Sequence, residues 1–404
     1  MLDKVEPRVH RLPSTGVAEV ATAFLVLGLT SFGGPVAHLG YFRREFVSRR
    51  RWLDDARFGQ LLGLCQSLPG PASSQLGFVL GTLRAGWAGG IAAFAGFTLP
   101  SALLMVALAA ASSTLGGAAG QQAVHGLKLV AVAVVAQALL GMSRTLTPDL
   151  PRAALALAAA AAAALSATAA TQLLVIATGA ALGPWLCPKV QVSPGAVLPA
   201  PWGRRTGAVL LGLFGILLLM ALLVTGSAAT RVHVAAAFYR AGALTFGGGH
   251  VVLPLLTQAV VDRGWLDKGA FLTGYGAAQA VPGPMFTVAA YLGERLQGGH
   301  GGPLTAALSL LAIFLPGLLL VGGMLPFWQF LAAKSAAVRM LAGINAGVVG
   351  LLAAALYNPI WISAVQDGLD LAVVLVAFGM LVAARWPAWT VVLWCVTACV
   401  LRSV

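Results

Sequence analysis

The sequence predicts an all-α integral membrane protein built from two homologous helical repeats. Three observations carry that reading: a deficit of charge, continuous apolar runs of membrane-spanning length, and one set of motifs written twice. The chain has 404 residues, of which 59% are hydrophobic and only 9% charged, with 49 glycines. Soluble domains carry about 25% charged residues, so most of this surface faces something other than water.

A helix needs about 20 apolar residues to cross a hydrocarbon layer of roughly 30 Å. The chain supplies such runs from Ala88 to Ala111, Leu129 to Met142, Ala153 to Leu186, Ala208 to Val224, Leu304 to Leu325 and Val391 to Leu401. They are continuous rather than alternating, and backbone inside lipid must bond to itself, which makes them helices. The net charge of +13 reads as basic loops on the cytoplasmic side of a bilayer, not as a nucleic-acid surface. Cys65, Cys187, Cys395 and Cys399 form no CxxC pair and no disulfide framework. The N-terminus, with Asp3, Lys4, Glu6 and Arg8, does not read as a cleaved signal.

The repeat is the main organisational feature. Residues 52–75 read WLDDARFGQLLGLCQSLPGPASSQ and residues 265–288 read WLDKGAFLTGYGAAQAVPGPMFTV. Aligned without a gap, Trp, Leu, Asp, Phe, Gly, Gln, Pro, Gly and Pro coincide. Upstream, Gly28 and SFGG (31–34) answer Gly242 and TFGG (245–248); downstream, FTLPS (97–101) answers IFLPG (313–317), and GLK (126–128) answers GIN (343–345). The first repeat is placed at 1–187, a linker with one extra transmembrane helix at 188–229, and the second repeat at 230–404. Each repeat opens with a helix (17–33, 231–247) ending at Gly-Gly, continues through a polar loop to Trp-Leu-Asp, and then breaks. The break joins two arms, 54–68 with 71–84 and 267–281 with 284–297, at Pro-Gly-Pro.

Two signals bear on how the halves face each other. Arg43, Arg44, Arg49, Arg50, Arg51 and Arg57 crowd the first polar loop, while the second has Arg263 and Lys268 balanced by Asp262 and Asp267. That asymmetry suits inverted halves with the first loop cytoplasmic. A crossing count with each pair of arms re-entrant gives an even number and suits parallel halves. Inversion is the expectation retained.

The arms are about 13 to 14 residues, roughly 20 Å at the helical rise, too short to span. Broken backbone at membrane depth is tolerated only where protein buries it or a cavity waters it. Pro71 and Pro284 suit the first position of a new helix, with Pro69 and Pro282 closing the arm before. Amides after them point outward at the positive end of the helix dipole, a ready anion site. Gly70 and Gly283 sit at the breaks. Ser73, Ser74 and Thr287 add hydroxyls there, and Gln66 and Gln279 add amides. Ser31, Phe32, Gly33, Gly34 and Pro35, with Thr245, Gly247 and Gly248, bring a second backbone close. The competing reading makes these motifs kinks and helix contacts.

Charged residues inside spans are expensive and usually functional. Lys128, whose repeat equivalent is Asn345, can neutralise a bound anion, or it can snorkel to an interface. Glu294 is a candidate for proton coupling or for a local pair with Arg295. His38 and His250 titrate near neutral pH or serve as loop histidines. No Walker A lysine, HExxH, GxSxG or metal-ligand spacing is present. No enzyme, metal or cofactor is therefore expected.

The block SFGGPVAHLGYFRREFVSRRRWLDDARFGQLLGLCQSLPGPASSQLGFVLG (31–81), with its echoes TFGGGHVVLP and WLDKGAFLTGYGAAQAVPGP, resembles the chromate ion transporter family, specifically its long two-domain bacterial type. The resemblance implies an inner-membrane exporter of chromate, driven by the proton-motive force and conferring chromate resistance. It also implies two halves of opposite topology. The family's hallmark positions fall on Phe32, Gly33, Gly34, Pro35, Gln66, Pro69, Gly70 and Pro71, and on Phe246, Gly247, Gly248, Gly249, Gln279, Pro282, Gly283 and Pro284. Sulfate, of the same shape and charge, is the rival substrate, by uptake or exchange. A non-transporting membrane scaffold or sensor is the rival of another class. Chromate and the lipid bilayer are the expected partners, with a homodimer left open and nucleic acid excluded.

Overall fold

The computed structural model describes residues 16–402, apart from 33, 115–117, 167–168, 189–200, 225, 227–228, 247–251, 298 and 329–333. Every regular element among the described residues is helical. In the first half these are α1 (Val17–Thr30), α2 (Gly34–Phe42, continued by a π-helical stretch Arg43–Arg49), α3 (Asp55–Ser67), α4 (Ala72–Thr114), α5 (Ala118–Leu146), α6 (Leu150–Leu165) and α7 (Ala169–Leu186). Helix α8 (Arg204–Leu223) follows. The second half has α9 (Arg231–Ala243), α10 (Val252–Leu256, continued by a π-helical stretch Thr257–Val261), α11 (Lys268–Ala278) and α12 (Val288–Glu294). It ends with α13 (Pro303–Met324), α14 (Ser335–Ala355), α15 (Gly368–Val382) and α16 (Ala388–Leu401). Among the described residues five helical stretches are long and apolar enough to cross a membrane: 72–111, 120–146, 204–223, 303–327 and 335–364.

Local chemistry sets the helix boundaries. The Asp of each Trp-Leu-Asp motif is an N-cap: Asp54 accepts from the Arg57 amide at 2.8 Å, and Asp267 from the Ala270 amide at 3.1 Å. A side-chain cap of this kind satisfies one of the orphan amides of a helix start. Helix α4 is bent double at Ala85–Gly86, where Gly86 takes φ +64°. The first arm beyond the Pro-Gly-Pro break therefore ends there, and the rest of α4 runs back along it.

Both pairs of arms return to the end at which they start. In the first half the guanidiniums of Arg50 and Arg84 lie over the Trp52 ring, 5.8 and 5.3 Å from its centre. In the second, the Gln297 amide donates to the Trp265 carbonyl at 2.9 Å. Helices α1 and α2 also double back. Phe24 stacks on Phe46 at 4.8 Å, and Arg50 reaches Glu19 at 3.2 Å. Helix α8 runs between the two ends. Trp202, just before its start, stacks on Trp87 at 4.4 Å, and Gly226, just past its finish, accepts from Arg263 at 3.4 Å.

The halves interlock. Helix α5 crosses α16 so closely that a Cβ on Gly126 would sit 2.7 Å from the Cys395 carbonyl, and α7 crosses α14 with Gly179 facing the Gly343 carbonyl at 2.6 Å. Each long helix thus packs against the last helix of the other half. Small residues permit this approach, as is usual between membrane helices. The outer side of α8 carries Val209, Ile216, Leu219 and Leu223, all more than half exposed, as a lipid-facing helix requires.

Candidate functional site

Each break is bonded to the residue that opens the Ser/Thr-Phe-Gly-Gly motif of the opposite half. The Gly70 amide donates to the Thr245 carbonyl at 2.7 Å, and the Gly283 amide donates to the Ser31 carbonyl at 2.9 Å. Gly70 has φ +113° and Gly283 φ +98°, a region open to glycine and strained for other residues. Each loop also rests on the proline-bearing helix of the other half. A Cβ on Gly70 would lie 2.9 Å from Gly317 Cα, and one on Gly283 would lie 3.1 Å from the Ser101 side chain. Ser101 and Gly317 are the matched last residues of the FTLPS and IFLPG motifs.

This geometry changes the expected roles of the break glycines. Their amides do not point free, because carbonyls already hold them. The donors left without intrahelical acceptors are those of the first turns beyond the prolines, at Ala72, Ser73 and Ser74 and at Met285 and Phe286. Pro69, Pro71, Pro282 and Pro284 are all buried around them.

Side chains gather on the same ground. Ser31, His38, Ser73, Ser74, Thr245, Gln279 and Thr287 are buried. His38 Nε2 lies 3.2 Å from the Ser31 carbonyl, which also accepts from Gly283, and His38 Nδ1 lies 3.5 Å from Ser73 Oγ. Thr245 and Thr287 donate to the carbonyls of Ala241 and Pro284 at 2.6 and 2.8 Å, so their hydroxyls are engaged. Gln279 Nε2 contacts Met285 Sδ at 3.1 Å. Among the described residues the buried hydroxyls of Ser31 and Ser74 have no partner. A buried polar group left unpaired is costly, so both hydroxyls are available to a ligand.

Other expected residues stand apart. Gln66 is exposed on α3, unlike its buried counterpart Gln279. The Lys128 ammonium lies at the foot of α11, 3.0 Å from where a Cβ would stand on Gly269, with Asp267 beside it. Asn345 is half-buried on α14, next to Ile344, which packs against Phe246. Phe32 is half-buried, and Gly34 and Pro35 open α2. Glu294 Oε2 and Arg295 Nε are each buried without a partner. Gly33, Gly247, Gly248, Gly249 and His250 lie outside the described residues. Among the described residues no group of three His, Cys, Asp or Glu side chains could hold a metal.

One residue escaped the sequence reading. Gln75 is fully buried, and its Nε2 donates both to the Pro69 carbonyl at 2.9 Å and to the Gly317 carbonyl at 3.1 Å. It joins the first break to the kinked helix of the second half, while its Oε1 has no partner. Its aligned position is Val288, so a search for residues shared by both repeats passes over it.

Long apolar helices with a matched break in each half fit a multi-pass membrane protein of the transporter class. The family model described as Chromate transporter matches residues 18–184 and again 232–401. The chain belongs to the chromate transporter family. It is 30% identical over 357 residues to the chromate transport protein of Pseudomonas aeruginosa, covering 85% of this chain and 80% of that one. It is 28% identical over 363 residues to a probable chromate transport protein of Synechococcus elongatus, covering 86% and 85%. With the chromate transport protein of Cupriavidus metallidurans it shares 26% over 358 residues, 86% and 83% of the two chains. No solved structure matches.

Proposed function

We propose that the protein exports chromate across the inner membrane by alternating access, as a secondary transporter driven by the membrane potential or proton-motive force. The observation that carries this reading is the reciprocal pair of bonds, Gly70 to Thr245 and Gly283 to Ser31. It brings first-turn amides of both halves, and the unpartnered hydroxyls of Ser31 and Ser74, to one region. A tetrahedral dianion takes such donors. At the helical rise the 13 residues of α3 cover roughly 20 Å, a length that supports a site near mid-bilayer.

Opposite orientation of the halves is part of the proposal. The two Trp-Leu-Asp turns belong to opposite ends of α8, Trp52 with Arg84 at one and Trp265 with Arg263 at the other. Because α1 and α2 double back as well, the segments between halves that count as crossings are the rest of α4, α5 and α8, with the shorter apolar helices α6 and α7 as an antiparallel pair between them. That number is odd, which favours inversion. The even count from sequence treated the first helix as a crossing. The Arg-rich end, with Arg43, Arg44, Arg49, Arg50, Arg51 and Arg57, is the cytoplasmic one.

Leaving a cell that is negative inside, a dianion gains about 2.3 kcal/mol per charge per 100 mV, about 4.6 in all, so export needs no ATP. In proteoliposomes loaded with chromate, an interior-negative potential should speed chromate efflux over protein-free vesicles. Efflux no faster than in empty vesicles, or flux of sulfate alone, would overturn the assignment.

A further inference from the structure

Three pairs of matched glycines make equivalent contacts in the two halves. Gly28 packs on the Phe97 carbonyl as Gly242 packs on that of Ile313; Gly70 meets Gly317 as Gly283 meets Ser101; Gly126 meets α16 as Gly343 meets α7. One aligned pair breaks the match. Gly276 on α11 lies so close to α5 that a Cβ there would overlap the Leu127 carbonyl, whereas a Cβ on its counterpart Gly63 on α3 would meet nothing within 4 Å among the described residues. Two matched neighbours differ in the same sense: Leu272 and Gln279 are buried on α11, while Gly59 and Gln66 on α3 are exposed; on the inner side, Leu64 and Cys65 are as buried as Ala277 and Ala278.

The repeat names the missing partner. Leu127 and Ile344 are the middle residues of GLK and GIN, so the contact formed between α11 and α5 corresponds to one between α3 and α14 that this structure leaves open. Glycine inside a helix is destabilising relative to alanine. At Gly276 the close approach explains it. Nothing in this conformation explains Gly63. A second conformation does.

We propose that Gly63 and Gly276 are the contact points of two gates that exchange. In the opposite state α3 closes on α14, with Gly63 against the backbone at Ile344, and α11 leaves α5. The present structure is then the state open on the Arg-rich side. The charges favour the formed contact, since the Lys128 ammonium lies along the foot of α11 beside Asp267, whereas α14 offers the neutral Asn345. This inference rests on the alternating-access reading above, but not on the identity of the solute.

The test uses a full-length chain with its four native cysteines replaced by alanine and Gly63→Cys introduced. A membrane-permeant maleimide should label that thiol readily. Adding Gly276→Leu, which bars α11 from α5, should slow labelling about tenfold as the population shifts to the state with α3 closed. Unchanged labelling in a folded double variant would overturn the exchange. Gly63→Leu is the second arm, because its side chain enters open space here and should leave the unfolding temperature unaltered. It should cut chromate efflux about tenfold, since one of the two states is lost; wild-type efflux would also sink the proposal. If labelling exchanges but no chromate moves, the gate stands and the substrate assignment fails.

Discussion

Gln75 and Gln66 lie on consecutive helices in opposite surroundings. Gln66 was the expected ligand because its type recurs at Gln279, yet it is exposed in this conformation. Gln75, with no repeat partner, is fully buried and bridges two carbonyls on elements far apart in the chain. Replacing it with leucine strips the donor from two buried acceptors. Leaving such groups unsatisfied costs roughly 1–3 kcal/mol, so Gln75→Leu should lower the thermal unfolding midpoint in detergent by several degrees. Gln75→Glu, which keeps the shape but removes the donor, should do no better. The break glycines belong to the same scale: a positive φ and an approach to Gly317 or Ser101 leave no room for a side chain at Gly70 or Gly283.

The short helices depend on what holds their ends. Asp54 and Asp267 cap α3 and α11, which gives the repeated Trp-Leu-Asp motif a physical reason. At the far end of the chain, Arg402 after α16 binds Asp367 at 2.6 Å and Asp370 at 2.7 Å, and His125 at the start of α5 meets Asp370 at 2.9 Å. This clamp fastens α15 and α16 to a long helix of the first half. The Asp370 amide and the Arg402 guanidinium hold the Asp367 carboxyl below its usual range. A depressed carboxyl stabilises the fold at neutral pH and loses that contribution only as pH falls through its lowered value. Arg402→Gln should therefore melt earlier than the parent at neutral pH. The gap should narrow only in acid below the ordinary carboxylate range, as followed by tryptophan fluorescence. A gap that stayed constant with pH would remove the ionic explanation.

For the whole molecule, interlocking is the governing fact. Helix α5 holds α16 and α11, α14 holds α6 and α7, and each break is bonded to the other half. Neither half has a closed set of contacts by itself, so the two should unfold as one cooperative unit. The proposed inversion makes a separate prediction about sidedness. In intact cells, single cysteines at Arg51 and at His300, both exposed, should react with an impermeant maleimide only at His300→Cys. Arg51→Cys should require permeabilised membranes. Labelling of both from outside would mean parallel halves.

The primary structure alone settled what recurs locally or by count. Charge deficit and apolar runs declared the membrane helices, the duplicated motifs declared the repeat and its breaks, and the resemblance declared the family. Bonding inside lipid leaves such runs few alternatives to a helix. Tertiary structure decided which carbonyl each break glycine would meet, which of two matched glutamines is buried, and that Gly276 on α11 packs on α5 while Gly63 on α3 has no matching contact among the described residues. Such contacts join residues far apart in the chain, and two homologous repeats can differ in them. Gln75 shows the limit most sharply: a glutamine is only a polar letter until a distant kinked helix presents the carbonyl it binds.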